Sequence, residues 1–242
     1  MALAPETKRR IQLFLIALFV LAGLRAWIIM RGRNAAEAPP QPTAEAPLEA
    51  DYYVTPKKLH AYDLKSARAL TQQPVWVREG YRYYFYPYDP ARKRANFKQE
   101  AGLLGPIEKL EVQDVVLDAS PGDPDQKQVM AVFEKDGRRF AFPIGAVRGD
   151  TFQLYIDEIL YIQGPRELYK HWPAEIWEAI DRREVKEGMN ELQAAFAIGM
   201  GVPRSSNEAG VKTVVYPRGG NETTVTYRDG RAAEISQAQA RQ

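Results

Sequence analysis

The chain has 242 residues, of which 45% are hydrophobic and 26% are charged, a composition sufficient for one or two compact globular domains. It contains no cysteine, which excludes disulfides, zinc–thiolate sites, iron–sulfur clusters and the lipid-modified cysteine of a bacterial lipoprotein. His60 and His171 are its two histidines, so a histidine-rich metal site is also excluded. We predict no metal and no cofactor.

The net charge of +2 is unevenly distributed along the chain. Residues 1–33 contain six basic residues and one acid, a charge of +5, which leaves −3 for the remainder. A nearly neutral body lacks the concentrated positive field that binds nucleic acid. We therefore predict no nucleic-acid partner and attribute the basic surplus to membrane topology.

Residues 13–24 form an uninterrupted apolar run, and a second apolar run follows Arg25 and extends to Met30. This length predicts a cytoplasmic tail and a single transmembrane anchor over residues 1–33, in the bacterial inner membrane. The membrane is thus a predicted partner, and the bulk of the chain is expected in the periplasm. The alternative is a signal peptide cleaved near Ala36 and Ala38, followed by secretion.

Residues 34–51 contain four prolines, four acids and no basic residue. Such a segment buries too little apolar surface to fold, so we predict an extended, disordered tether.

The sequence from residue 52 to residue 169 is typical of a β-rich domain. A short helix is expected within residues 57–71, and Asp136-Gly137 between two strand-like runs predicts a hairpin. Five or six short strands separated by turns indicate a small barrel, for which the SH3-like barrel is the candidate type.

Residues 74–90 are unusually rich in aromatic side chains. We predict a partner-binding surface at Tyr81, Tyr83, Tyr84, Tyr86 and Tyr88. The neighbouring cations, among them Arg92, Lys93 and Arg94, leave open a stacking platform for sugars or single-stranded nucleic acid. The structural alternative is a strand pair that buries one aromatic face and exposes tyrosines on the other.

Four acids stand in distinctive contexts: Glu100, Glu108, Asp157 and Glu158. Asp157 and Glu158 are adjacent, so on a strand they would point to opposite faces and could share neither a proton nor a metal. They are expected to mark a turn or a bulge. Since no spacing pairs these acids, we predict no catalytic residue and no enzymatic activity.

The sequence pattern of residues 170–236 predicts two helices followed by three antiparallel strands. Pro173 suits the first turn of the first helix, and Asn190 with Gln193 predicts a capping box at the start of the second. Gly199 or Gly201 would end that helix, and Pro203 would block its continuation. Glycines that follow a helix do not form a phosphate loop, because phosphate loops precede helices.

The predicted fold class is therefore α+β. It consists of an N-terminal transmembrane helix, a β-rich middle domain with an SH3-like barrel as its candidate architecture, and a C-terminal ααβββ domain with a three-stranded antiparallel sheet. Residues 237–242 are predicted to be a disordered tail.

The C-terminal region resembles the SmpA/OmlA (BamE-type) family of outer-membrane assembly factors. The similarity lies in the runs VKEGMNELQ, GMGVP, TVVYPR and TTVTYRDGRAAEI. It implies structural roles for seven residues, namely Gly188, Asn190, Gln193, Gly201, Pro203, Asp229 and Gly230. It also implies a non-catalytic envelope domain that binds protein or lipid.

These observations predict a non-enzymatic, membrane-anchored envelope protein that binds a protein partner, or a lipid or glycan, in envelope assembly or maintenance. The alternatives are an extracytoplasmic sensory or regulatory domain and, less favoured, a glycan-acting enzyme.

Overall fold

A computed structural model describes residues 18–28, 30, 50–80, 83–204, 208–218 and 221–239. The chain forms two compact units, Met1–Glu49 and Ala50–Gln242. In the first unit, residues 18–28 and Met30 are helical, and most of their large apolar side chains are exposed.

Within the part of the chain that the structure describes, no helix has both the length and the hydropathy needed to cross a membrane. The predicted fold class included an N-terminal transmembrane helix, and for the described residues that prediction is wrong. The remainder of the anchor prediction, residues 1–17, 29 and 31–33, lies outside the described residues, as does the tether over residues 34–49.

Helices are few and short in the second unit. It begins with the 3₁₀ turn Ala50–Tyr53, and a second 3₁₀ turn, Arg68–Gln72, follows the first α-helix directly. The α-helices are α1 (Leu64–Ala67), α2 (Ile156–Ile159), α3 (Pro165–Leu168), α4 (Ala174–Asp181) and α5 (Glu191–Ile198).

Fourteen strands are found among the described residues, and all of their pairings are antiparallel. They are β1 (Val75–Val77), β2 (Tyr84–Asp89), β3 (Arg94–Ala95), β4 (Gly102–Leu103), β5 (Lys109–Leu110), β6 (Val112–Ser120), β7 (Asp123–Lys135), β8 (Arg138–Arg148), β9 (Thr151–Leu154), β10 (Leu160–Tyr161), β11 (Val202–Arg204), β12 (Val211–Arg218), β13 (Asn221–Arg228) and β14 (Arg231–Gln239).

The largest sheet has seven strands, in the order β3-β2-β8-β7-β6, with β4 added to β2 and β9 added to β8. Its long hairpin β7–β8 turns at Asp136 and Gly137, whose φ angles of 51° and 70° suit the predicted two-residue turn. One face of this sheet buries a core that includes Phe85, Phe133 and Phe142. Both faces are covered, since a smaller apolar cluster lies on the other side.

The predicted SH3-like barrel is not observed. The end strands β3 and β6 lie near each other, but no backbone ladder joins them among the described residues. Instead, the buried carboxylate of Asp118 in β6 accepts a hydrogen bond of 2.6 Å from the backbone N–H of Ala95 in β3. A side chain therefore occupies the position where a closed barrel would have strand pairing.

A second core brings together elements that are distant in sequence. The three-stranded sheet β10-β1-β5 contributes Trp76 and Tyr161, while α4 and α5 contribute Trp177 and Phe196. The four-stranded sheet β11-β12-β13-β14 closes this core with residues that include Tyr216. Aromatic rings dominate this second core. Its two helices have only eight residues each, and large aromatic side chains give such short helices a large buried apolar area.

Three details of the fold differ from the sequence-based expectations. The C-terminal sheet has four strands rather than three, since β11 pairs with β12. Strand β14 extends to Gln239, so residues 237–239 of the predicted disordered tail belong to the sheet. Asp157 and Glu158, which were expected to mark a turn or a bulge, lie in the short helix α2. The short helix expected within residues 57–71 is present as α1 and the 3₁₀ turn after it. The protein is mostly antiparallel β-structure with few helices.

Asp51, placed by the sequence at the end of the tether, lies in the first 3₁₀ turn and forms contacts with the second core. Its carboxylate is 2.5 Å from His171 Nε2, and it accepts hydrogen bonds of 2.6 Å from Trp172 Nε1 and from Asn190 Nδ2. The side chain is only 12% exposed. The start of the second unit is thus attached to residues more than a hundred positions downstream.

The hydroxyl oxygens of Tyr216 in β12 and Tyr227 in β13 are 2.6 Å apart in the core. Burial raises the pKa of both side chains, that of Tyr227 to about 12. The hydrogen bond to Tyr227 adds to the rise for Tyr216, whereas the same bond acts against the rise for Tyr227.

We expect the free energy of unfolding to fall as the pH rises above the ordinary tyrosine pKa of 10.0. The raised pKa values in the fold favour the neutral hydroxyls, so this stabilisation is complete below pH 10 and is lost as the pH rises through about 12. Denaturant unfolding at a series of alkaline pH values measures the effect. A Tyr216→Phe, Tyr227→Phe double variant should lose less stability over that range, whereas Tyr62→Phe, at a 77% exposed side chain, should behave as wild type. An unchanged pH dependence in the double variant would contradict the assignment.

Candidate binding surface on strand β2

Successive side chains in a strand point in opposite directions, so the aromatic residues of β2 lie on two different faces. Tyr84, Tyr86 and Tyr88 share one face, while the adjacent Phe85 is buried in the large core on the other. Tyr83 precedes the strand and packs, half-buried, against that same large core. Tyr81 lies outside the described residues. The structure therefore brings three of the five candidates together.

Two further side chains extend this face. Leu103 in β4 is the cross-strand partner of Tyr84, and the two are 43% and 42% exposed. Phe97 follows β3 and makes an edge-on ring contact with Tyr86, with 5.2 Å between the centroids. We call the set Tyr84, Tyr86, Tyr88, Phe97 and Leu103 the tyrosine patch.

The tyrosine patch has an apolar layer beneath it. Tyr86, Tyr88 and Phe97 pack over a small cluster formed by Val116, Met130, Val132 and Ala141 of strands β6, β7 and β8. The rings are therefore fixed from below while their outer surfaces remain accessible. A rigid aromatic side chain has little conformational entropy left to lose on binding, which favours it as a contact residue.

Burial and neighbouring acids raise the pKa of two tyrosines of the patch. Burial raises the pKa of Tyr86, with a further contribution from Glu100. Burial also raises the pKa of Tyr88, where Asp114 and Asp118 add to the effect and Arg139 opposes it. At neutral pH both hydroxyls can donate and accept hydrogen bonds, as expected of an amphipathic contact surface.

A groove of about 590 Å³ continues from the patch through Tyr88, which belongs to both. Pro87, Pro90 and Phe140 give it apolar walls, and Arg138, Arg139 and Glu100 give it charges. The guanidinium of Arg138 lies 5.5 Å from the ring centroid of Phe140. The combination of aromatic rings and proline, with cations at the rim, is suited to an extended peptide segment.

The seven residues of the C-terminal motif lie outside the tyrosine patch, in turns, at helix ends and at the edge of the four-stranded sheet. Asn190 and Gln193 form the capping box of α5, with reciprocal hydrogen bonds of 2.9 Å. Pro203 pairs with Val214 at the edge of the four-stranded sheet. Gly188 has a φ of 82°, and Asp229 and Gly230 turn the β13–β14 hairpin with φ angles of 49° and 78°.

The two candidate glycines after α5 have different reasons to be glycine. Gly199 is the C-cap and has a φ of 88°, a conformation that side chains disfavour. Gly201 has no such angle, but a Cβ there would overlap Val214 Cγ1 and would come within 2.9 Å of Tyr216 Cδ1. Close packing of the chain against the sheet therefore requires Gly201.

Three of the four candidate acids have contacts or positions that explain them without catalysis. The carboxylate of Asp157 accepts backbone N–H bonds from Leu59 at 2.6 Å and His60 at 3.0 Å. Glu108 accepts one from Gly105 at 2.8 Å and contacts Lys135 Nζ at 2.6 Å. Glu158 is exposed on α2. Glu100 lies at the groove described above.

Among the described residues, no group of three or more histidine, aspartate and glutamate side chains is arranged to hold a metal ion. No sequence pattern indicated Arg138, Arg139 and Leu103 as parts of the surface. Their contribution depends on which strands pair with β2, and β8 lies about fifty residues downstream in the chain. No local sequence signal reports that pairing.

Comparison of the chain with protein-family models, with curated proteins and with solved structures gives no match.

Proposed function

We propose that the chain is a non-enzymatic binding module whose tyrosine patch docks a protein partner. The observation that carries the proposal is the exposed cross-strand pair Tyr84–Leu103, which continues into a firmly packed row of aromatic side chains. Tyrosine at the centre of a well-supported patch with a polar rim is the usual composition of an interface hot spot.

The neighbouring groove defines the chemistry of the partner. An extended segment would place an apolar side chain against Tyr84 and Leu103 and an acidic side chain near Arg138 and Arg139. Arginine at the edge of an interface favours a carboxylate through charge-assisted hydrogen bonds. The partner we propose is therefore a protein with an exposed, extended segment that combines apolar and acidic residues.

The envelope location and the SmpA/OmlA-type role stay predictions. They depend mainly on the leading residues, which lie largely outside the described part of the chain, and on the motif in the C-terminal sheet. A role in envelope assembly is consistent with a module that binds proteins and is part of the same proposal.

A photo-crosslinking phenylalanine analogue placed at position 84 of the full chain tests the surface in native cells. We expect one discrete adduct with a single identified protein, because the ring at this position would be in contact with the partner. The same probe at Tyr62, a more exposed tyrosine, is the matched control and should give no such adduct.

A second variant establishes specificity. Leu103→Asp combined with the probe at position 84 should abolish the adduct, because the charge lies directly beside Tyr84. With the identified partner in purified form, Leu103→Asp should weaken binding by about tenfold or more. Equal adducts at positions 84 and 62, or an adduct that persists with Leu103→Asp, would contradict the proposal.

A further inference from the structure

The turn between β2 and β3 carries three consecutive cations that the tyrosine patch does not use. Arg92, Lys93 and Arg94 are all exposed, and Lys127 of β7 lies across from them. Together with Asp118 and Asp123 they line a recess of about 360 Å³, which we call the basic recess.

Hydrogen bonds fix the two walls of the basic recess. On the turn, the carboxylate of Asp89 accepts backbone N–H bonds from Ala91 at 2.9 Å and Arg92 at 3.2 Å. On the opposite wall, the buried Asp118 holds β3 to β6 through its 2.6 Å bond from Ala95. The recess is therefore formed before any ligand arrives, which lowers the entropic cost of binding.

The two carboxylates of the recess already have partners. Asp118 accepts the N–H of Ala119 at 2.7 Å in addition to that of Ala95, and Arg94 lies 3.9 Å from it. Asp123 pairs with Arg148 at 2.5 Å. By contrast, neither Lys93 nor Lys127 has an ion-pair partner within 4.0 Å among the described residues. The recess thus has a positive surplus that its own acids do not neutralise.

The turn itself does not explain the lysine at position 93. Lys93 has a φ of 53°, in the left-handed region, where glycine and asparagine are the favoured residues. A long cationic side chain at this position has a conformational cost, and Lys93 is exposed with no ion-pair partner within 4.0 Å among the described residues.

We propose that the basic recess binds a phosphate group. Guanidinium groups donate paired hydrogen bonds to phosphate oxygens, and ammonium groups add compact charge, so Arg92, Arg94, Lys93 and Lys127 provide a complementary set. The phosphate can belong to a lipid headgroup or to a soluble phosphorylated molecule, and the same chemistry recognises both. This site lies beyond the proposed protein-docking function and does not depend on it.

Two probes applied to the full chain distinguish the sources of phosphate. Inorganic pyrophosphate in calorimetry tests a soluble phosphate. Sedimentation with vesicles of phosphatidylglycerol and phosphatidylcholine, compared with vesicles of phosphatidylcholine alone, tests a headgroup phosphate. The leading segment is apolar and has a charge of +5, so it can bind both vesicle types and can itself favour the anionic one. The recess is therefore measured by how far the recess variant reduces the preference for phosphatidylglycerol.

The discriminating variant is Lys93→Asn combined with Lys127→Ala. It should weaken binding to the effective probe by about tenfold. Lys93→Asn alone should leave the Tm unchanged or higher, because asparagine adopts the left-handed conformation more readily. Lys65→Ala with Lys98→Ala removes the same charge from exposed sites outside the recess and is the matched control.

Binding of pyrophosphate, a preference for phosphatidylglycerol, or both, with loss confined to the recess variant, supports the proposal and identifies the source. No binding in either assay, or an equal loss in the control variant, overturns it. Tyr84→Ala should leave phosphate binding unchanged, which separates this result from that of the docking proposal.

Discussion

Replacing Asp51 with alanine is expected to lower the free energy of unfolding by about 3 kcal/mol. The change removes the carboxylate that contacts His171 and accepts hydrogen bonds from Trp172 and Asn190. Trp172 and Asn190 are buried, whereas His171 is exposed. A buried donor that loses its acceptor has a desolvation cost larger than the net contribution of the hydrogen bond itself. Urea denaturation of the full chain, followed by tryptophan fluorescence, measures the loss.

A matched acid provides the control for Asp51. Asp181 pairs with Arg166 at 2.6 Å, but both side chains are more than half exposed. Exposed ion pairs contribute little to stability, so Asp181→Ala should change the free energy of unfolding by less than about 1 kcal/mol. Similar losses in the two variants would show that the contacts of Asp51 do not stabilise the fold as described.

The second large effect is expected for Gly201→Ala, with a loss of about 2 kcal/mol. The added methyl group would overlap Val214 and Tyr216, two buried residues of strand β12 that cannot easily move. Thermal and denaturant unfolding measure the loss.

Two variants test the cause of the Gly201 effect. Gly80→Ala is the matched control, because its Cβ would meet only Met200 Sδ at 3.4 Å and should cost little. Adding Val214→Ala to Gly201→Ala removes one of the overlapping groups. The double variant should therefore be less destabilised than the sum of the two single variants. Strict additivity would contradict a steric origin.

Local chemistry was predictable wherever neighbouring residues determine it. Asp136-Gly137 does turn a hairpin, and Asn190 with Gln193 forms the capping box, because these features depend on a few consecutive residues. The alternation of Tyr84, Tyr86 and Tyr88 on one face likewise follows from the geometry of a strand.

Features that depend on long-range pairing were not predictable. Strand β11 has three exposed residues, so no apolar pattern indicates that it joins the sheet. Asp51 sits in a run rich in alanine, proline and acid, and its partners lie at positions 171, 172 and 190. Asp118 occupies the site where a barrel would close. In each case a tertiary contact decides the structure, and local propensity contains no information about it.

The attachment of Asp51 has a consequence for biosynthesis. One of the side chains that bind Asp51 is Asn190. Asp51 therefore cannot reach its final position until the ribosome has synthesised most of the polypeptide. The 3₁₀ turn at Ala50–Tyr53 is translated first among the elements of this unit, but it can pack against its partners only after they have been synthesised. Shortening the nascent chain before Asn190 would leave that beginning undocked and accessible to proteases.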